Sequence, residues 1–317
     1  MVMAALPRNI KEMIQQLKEA MQGSLQGRNS RLACEMPLGF EFGVEGEKAK
    51  RKGSTRVLGS DDVIRSDREL ARLFVGMFEG TGLVPLMLFS SAAEAAAAKK
   101  VWDAPGLEAR VQALVPAGGP PAPAKKAAKA TKASSGGGGF GGGGGFGGGA
   151  KGKKGGKKSE GAPPLVKVPS AAEVVIAVAP GEPQLRALQE HCDASGMDKL
   201  VIVLNARLDA AGGAEGNAKS SDIIRYFEDE GEGGFQTSFA FLTQPLGVGA
   251  EAPEGDPVVL YRKFPDEWVF ARKPVVGPPR ELLTRDASKG RPSTDELKQA
   301  VEGDKGLLGA LIDGVTK

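Results

Sequence analysis

His191 and Cys192 set a base beside a thiol in the run PQLRALQEHC, a pairing that invites a catalytic dyad. Adjacent residues on a helix point about 100° apart, so these two face away from each other. Cys192 continues the face made by Leu185 and Leu188, and His191 flanks it. The pair therefore reads as a packed thiol beside a partly exposed imidazole. His191 is the single histidine, and Cys34 and Cys192 are the two cysteines, so no Cys/His spacing fits zinc and no disulfide framework exists. Both thiols read as buried in apolar surroundings, in a reducing compartment. GSDDVIRSDRE has spaced carboxylates but not the alternating pattern of a calcium loop, and helix capping accounts for them.

A second source of chemistry is SSGGGGFGGGGGFGGGAKGKKGGKKSEG, from Ser134 to Gly161. A phosphate-binding P-loop needs G-x-x-x-x-G-K followed by Ser or Thr, between a strand and a helix. Here Gly156–Lys157 is followed by Lys158, with no strand before it and no helix after it. Nine lysines fall between Pro120 and Ser159 with no Arg, Asp or Glu, and setting them aside turns a net charge of +3 into −6 for the rest. The chain is a mildly acidic body with one basic strap. Lys151, Lys153, Lys154, Lys157 and Lys158 are its electrostatic contact candidates. Anionic lipid and nucleic acid both suit such a cluster, although Phe140 and Phe146 alone offer stacking. A solvated spacer kept soluble by its lysines accounts for the composition more simply.

The elements that must position any site follow from apolar periodicity. Ile10, Met13, Ile14, Leu17, Met21 and Leu25 predict a helix between Pro7 and Gly27, and RLACEMP predicts a strand. SDRELARLFVGMF predicts a helix opened by a Ser66/Glu69 capping box. LVPLMLFSS (Leu83 to Ser91) reads as a strand buried on both faces, and AAEAAAAKKVW as a helix. From Asp103 to Pro164 no usable period appears beyond the fragment LEARVQAL. EVVIAVAP, PQLRALQEHC and LVIVLNARL then give strand, helix, strand, the unit of a parallel sheet. SSDIIRYFEDEG predicts a short helix. FQTSFAFLTQPL, VVLYRKFP and EWVFARKP predict three strands, the last two joined by a turn at Pro265–Glu267. A Ser293/Glu296 capping box opens one or two short helices at the end.

The expected architecture is α/β: a single domain with a mostly parallel, mixed sheet flanked by helices, antiparallel strands near the C-terminal end, and a long disordered insertion. Residues 5–102 and 165–275 are its two parts, 103–164 the Ala/Pro/Gly/Lys-rich insertion, and 276–317 a tail with short helices. In such sheets ligands bind beyond the carboxyl ends of the strands. The residues there are Glu35, Ser90, Ser91, Gly181, Asn205 and Arg207. They are candidate contacts for a nucleotide-like ligand, or caps of turns and helix starts. No run of about 18 apolar residues occurs, so no transmembrane span is expected.

The order of several motifs resembles a plant, algal and cyanobacterial family catalogued as a domain of unknown function. The motifs are a leading helix into Cys34–Glu35–Met36–Pro37, an apolar strand ending in Leu204–Asn205, and Arg262, Phe264, Pro265 and Trp268 in the pattern R-x-[FY]-P-x-x-W. That family includes low-photosystem-II-accumulation type plastid proteins and a domain behind a plastid adenylate kinase. The stretch EGEKAKRKGSTR departs from the Trp/Gly-rich segment common in its members. The resemblance implies a chloroplast stromal or thylakoid-associated accessory role in photosystem assembly, with photosystem subunits or assembly factors, or an anionic thylakoid surface, as partners. It implies no established catalysis and no cofactor, and makes Pro37, Arg262, Phe264, Pro265 and Trp268 structural. A chloroplast setting without a transit peptide in this numbering implies a processed or truncated start. Binding of nucleic acid through the strap is the alternative partner expectation.

Overall fold

The computed structural model describes residues 6–37, 60–102, 109–114, 168–169, 171–206, 208, 221–228, 234–243, 258–273 and 277–315. Asn9 caps helix α1 (Ile10–Gln26), its side chain accepting from the Glu12 backbone N–H at 3.0 Å. The helix thus starts after Pro7 rather than at it, because Asn supplies the acceptor that the first free N–H groups need. Gly27 closes it, as its position suggested.

Strand β1 (Arg31–Glu35) is followed in the described chain by α2 (Ser60–Met77), β2 (Leu86–Phe89) and α3 (Ala92–Val101). Helix α2 corrects the expected capping box. It begins at Ser60, so Ser66 lies inside it, and Ser66 and Asp67 are buried. Val63 extends the stripe of Leu70, Phe74 and Met77 backwards at helical spacing, so the helix runs on through SDDVIRSDRE. Leu83 and Val84 are each 38% exposed and lie ahead of β2, which is shorter than the apolar run suggested.

The expectation of no structure from 103 to 164 also needs correction. Arg110–Ala113 form β3, paired in parallel along the whole of β2 with Val111 buried. Four residues carry too little period to be read alone; the neighbouring strand supplies their hydrogen bonds. The basic strap lies outside the described residues.

Strand β4 (Val174–Val178), helix α4 (Glu182–Ser195), strand β5 (Leu200–Leu204) and helix α5 (Ser221–Glu228) continue the α/β pattern. Strands β6 (Gln236–Thr243), β7 (Val258–Lys263) and β8 (Trp268–Arg272) are the three expected late strands. A fourth, β9 (Arg280–Arg285), falls where only tail helices were expected. Its exposed, charged residues show little strand character in sequence, and pairing with β8 defines it. Helix α6 (Thr294–Val315) is one helix, opened by the Ser293/Glu296 box: the Ser293 backbone N–H donates to Glu296 Oε2 at 2.8 Å and the Glu296 N–H to Ser293 Oγ at 3.3 Å.

The nine strands form one sheet in the order β3-β2-β4-β5-β1-β6-β7-β8-β9. Neighbours from β3 to β6 are parallel, and those from β6 to β9 are antiparallel. Side chains alternate between the faces, as a pleat requires. Ile176, Ile202, Cys34, Phe239 and Tyr261 pack under α1, α2 and α3. Val175 and Val203 meet α4 and α5 on the other face, and Leu260, Trp268 and Phe270 meet α6 there. Chain travel through α2 and α3 is toward the β3 edge, and through α4 and α5 toward β6. A common crossover hand puts helices of opposite travel on opposite faces. Among the described residues no helix is long and apolar enough to cross a membrane.

Candidate functional site at the carboxyl rim

The parallel strands β2, β4, β5 and β1 end side by side, so Ser90, Gly181, Asn205 and Glu35 do share one rim. Each is used differently. Asn205 is 2% exposed and holds a left-handed backbone, φ +51°, a conformation that Asn tolerates better than most residues. Its Nδ2 donates to Asp67 Oδ1 at 2.6 Å, and its Oδ1 accepts from the Met36 backbone N–H at 2.7 Å. Its own N–H reaches the Cys34 carbonyl at 2.8 Å. One side chain thus ties β5 to β1 and to α2. A buried amide with its donor and acceptor both engaged is a lock in the fold.

Glu35 turns to the opposite face of the sheet. Arg291, ahead of α6, lies 3.4 Å from Glu35 and 3.4 Å from Glu228 at the end of α5. This half-buried group closes over a cavity of about 20 Å³ bordered by Ala33, Thr237 and Trp268. That is room for about one water molecule.

The rim opens between β2 and β4. There the chain leaves β2 toward β3 and leaves β4 toward β5, the divergence at which α/β sheets leave a crevice. A cavity of about 160 Å³ fills it, lined by Asp67, Arg68, Phe89, Ser90, Glu94 and Ala179 with Val63, Ile64 and Val178. Ser90 Oγ donates to Glu94 Oε2 at 3.0 Å, and the Glu94 N–H reaches Ser91 Oγ at 3.2 Å, so Ser91 caps α3. Ala179 holds φ +44° while its N–H reaches the Leu204 carbonyl at 2.8 Å. Gln184 Nε2 donates to the carbonyls of Ser90 at 3.3 Å and Leu114 at 3.2 Å, fixing the strand ends. Gly181 is the N-cap of α4. The guanidinium of Arg68 is the exception in this wall: its Nε is buried and donates to no acceptor.

Arg207 and Lys151, Lys153, Lys154, Lys157 and Lys158 lie outside the described residues. His191 and Cys192 diverge as expected: Cys192 is fully buried and His191 half-buried. Burial pushes the Cys192 thiol up to about 11, and burial, helped by Lys199 and Arg31, pulls the imidazole below its ordinary range. Burial raises Cys34 further still. Burial therefore disfavours the thiolate, the nucleophilic form, at both cysteines. Arg31 instead donates to the carbonyls of Cys192 at 2.8 Å and Gly196 at 2.7 Å, closing the end of α4. Among the described residues no three His, Cys, Asp or Glu side chains gather where they would hold a metal ion.

The motif residues Arg262 and Trp268 are each 1% exposed, with the guanidinium carbon 5.3 Å from the ring centroid. Phe264 packs against the core and Pro265 is exposed in the turn before β8. Pro37 follows β1 half-buried.

A family model described as a domain of unknown function, DUF1995, matches residues 7–299. The chain belongs to this family. No curated protein matches the chain, and no solved structure does. The DUF1995 match begins just ahead of α1 and ends inside α6, so the family unit is the whole sheet with both helix layers. Within this DUF1995 domain, Asp67, Arg68, Glu94 and Arg291 were not singled out from sequence. The one available signal was polar Ser66–Asp67–Arg68 interrupting the apolar stripe of α2.

Proposed function

We propose that this DUF1995 protein is a non-enzymatic accessory factor of the chloroplast stroma or thylakoid surface, acting in photosystem II assembly or maintenance by binding photosystem subunits or assembly factors. The observation that carries this reading is the use of the rim. Asn205, Ser91, Gly181 and Glu35, placed where an α/β enzyme presents its reactive groups, are engaged in the fold's own caps and ties. A rim committed to rigidity suits a scaffold that presents surfaces. The motif Arg262–Phe264–Pro265–Trp268 and its partners in order along the chain support the compartment. The lysines of the strap act as a weak tether to an anionic surface, which in this reading is the thylakoid.

The test is affinity purification of the tagged protein from chloroplast extract, with and without nuclease. Photosystem core subunits or assembly factors are expected in both samples. Recovery only of ribosomal proteins that nuclease removes would replace this function with RNA association through the strap.

A second reading is a ligand-binding α/β domain. The 160 Å³ cavity at the β2/β4 divergence favours it. Pockets for whole nucleotides and drug-sized molecules start near roughly 300 Å³, so the ligand in this reading is smaller than a nucleotide.

A further inference from the structure

We infer that the cavity between α2, β2 and β4 binds a small zwitterion, an amino acid or a molecule of that size, with Arg68 holding its carboxylate. The inference deepens the second reading above and rests on it.

Size sets the first limit. A cavity of about 160 Å³ is close to one that accepts a benzene ring, which is the bulk of a medium amino acid. Charge sets the second. Among the described residues the wall carries one guanidinium, Arg68, and two carboxylates, Asp67 and Glu94. A phosphate dianion would face both carboxylates with one cation to hold it, whereas a ligand bearing both signs meets a partner for each. Arg68 lines the cavity, and a planar guanidinium is the group best suited to hold a carboxylate there. Glu94 already accepts from Ser90, and a carboxylate has lone pairs for a further donor, which places the ligand's ammonium on that side. Val63, Ile64, Phe89 and Val178 supply an apolar wall for the rest of the ligand. The position is the strand divergence at which α/β sheets receive ligands.

The experiment is thermal unfolding of the full chain with the standard L-amino acids one at a time at millimolar concentration, and with inorganic phosphate and adenosine monophosphate. The proteins are wild type, R68M and R68K. At about a hundred times Kd, one or a few amino acids should raise the wild-type Tm by roughly 5 °C. R68M should lose that shift, and R68K should need at least about tenfold more ligand, because an ammonium lacks the planar fork. Without ligand, R68M should melt no lower than wild type, since it removes an unpaired buried donor. No shift with any probe, or a shift with phosphate or the nucleotide alone, overturns the inference. A Tm loss of several degrees in unliganded R68M does too, because Arg68 would then be structural. A full amino-acid shift retained in R68M places the ligand elsewhere: this inference falls while the ligand-binding reading stands.

Discussion

Two stretches of the same strand-end rim have been put to opposite uses. At β5 and β1, Asn205 engages three backbone or side-chain partners and Arg291 spans two carboxylates, leaving space for about one water. At β2 and β4, a cavity eight times larger keeps an arginine whose Nε has no acceptor. The topology accounts for part of the difference. At β2 and β4 the chain diverges and leaves a gap. At β5 and β1 the outgoing connections run toward each other's side on opposite faces, and the gap closes. The first region is built for stability, and the second keeps a feature that stability alone does not favour.

Substitutions should separate the two regions by size and by sign. N205A should have the largest effect, a loss of about 3 kcal/mol in urea unfolding, because it leaves the Met36 N–H without its acceptor, takes one donor from the buried Asp67 carboxylate and puts Ala at a positive φ. A loss below about 1 kcal/mol would mean that Asn205 is no lock. R291M should cost about 2 kcal/mol, since it removes the cation that lies between Glu35 and Glu228. High salt should narrow that difference, and equal losses in low and high salt would point to packing instead. In the open region the sign should reverse: R68M should leave stability unchanged or raise it by up to about 1 kcal/mol.

The smallest effect lies away from the rim. His191 is held below its ordinary range by burial, so below about pH 6.5 the unfolded chain takes up a proton that the folded chain resists. Its contribution is present above that pH and is lost as pH falls. Urea midpoints measured from pH 7.5 to 5 should therefore fall less steeply for H191Q than for wild type. Parallel curves would show that the imidazole is equally free in both states.

Much of the fold was legible in one dimension. Helical stripes such as Met13–Leu17–Met21 and continuous apolar runs such as VVIAV and LVIVL need no neighbour to reveal their type, because burial imposes period or length directly on the residues. The rim positions Glu35, Ser90, Gly181 and Asn205 followed from strand ends for the same reason, and the Ser293/Glu296 box from local spacing.

Tertiary structure decided the rest. β3 and β9 are strands because a partner strand hydrogen-bonds them, and that partner is distant or unremarkable in sequence. The Ser66/Glu69 box looked sound locally, yet α2 already runs from Ser60, and burial against the sheet extends a helix past a plausible cap. Whether a rim residue is lock or ligand group depends on what comes opposite it: Asn205 meets Asp67 from a helix 138 residues away, while Arg68, next in chain to that partner, lines the cavity. Neighbouring residues on a helix point in different directions, and the sheet's strand order sets what each of them finds.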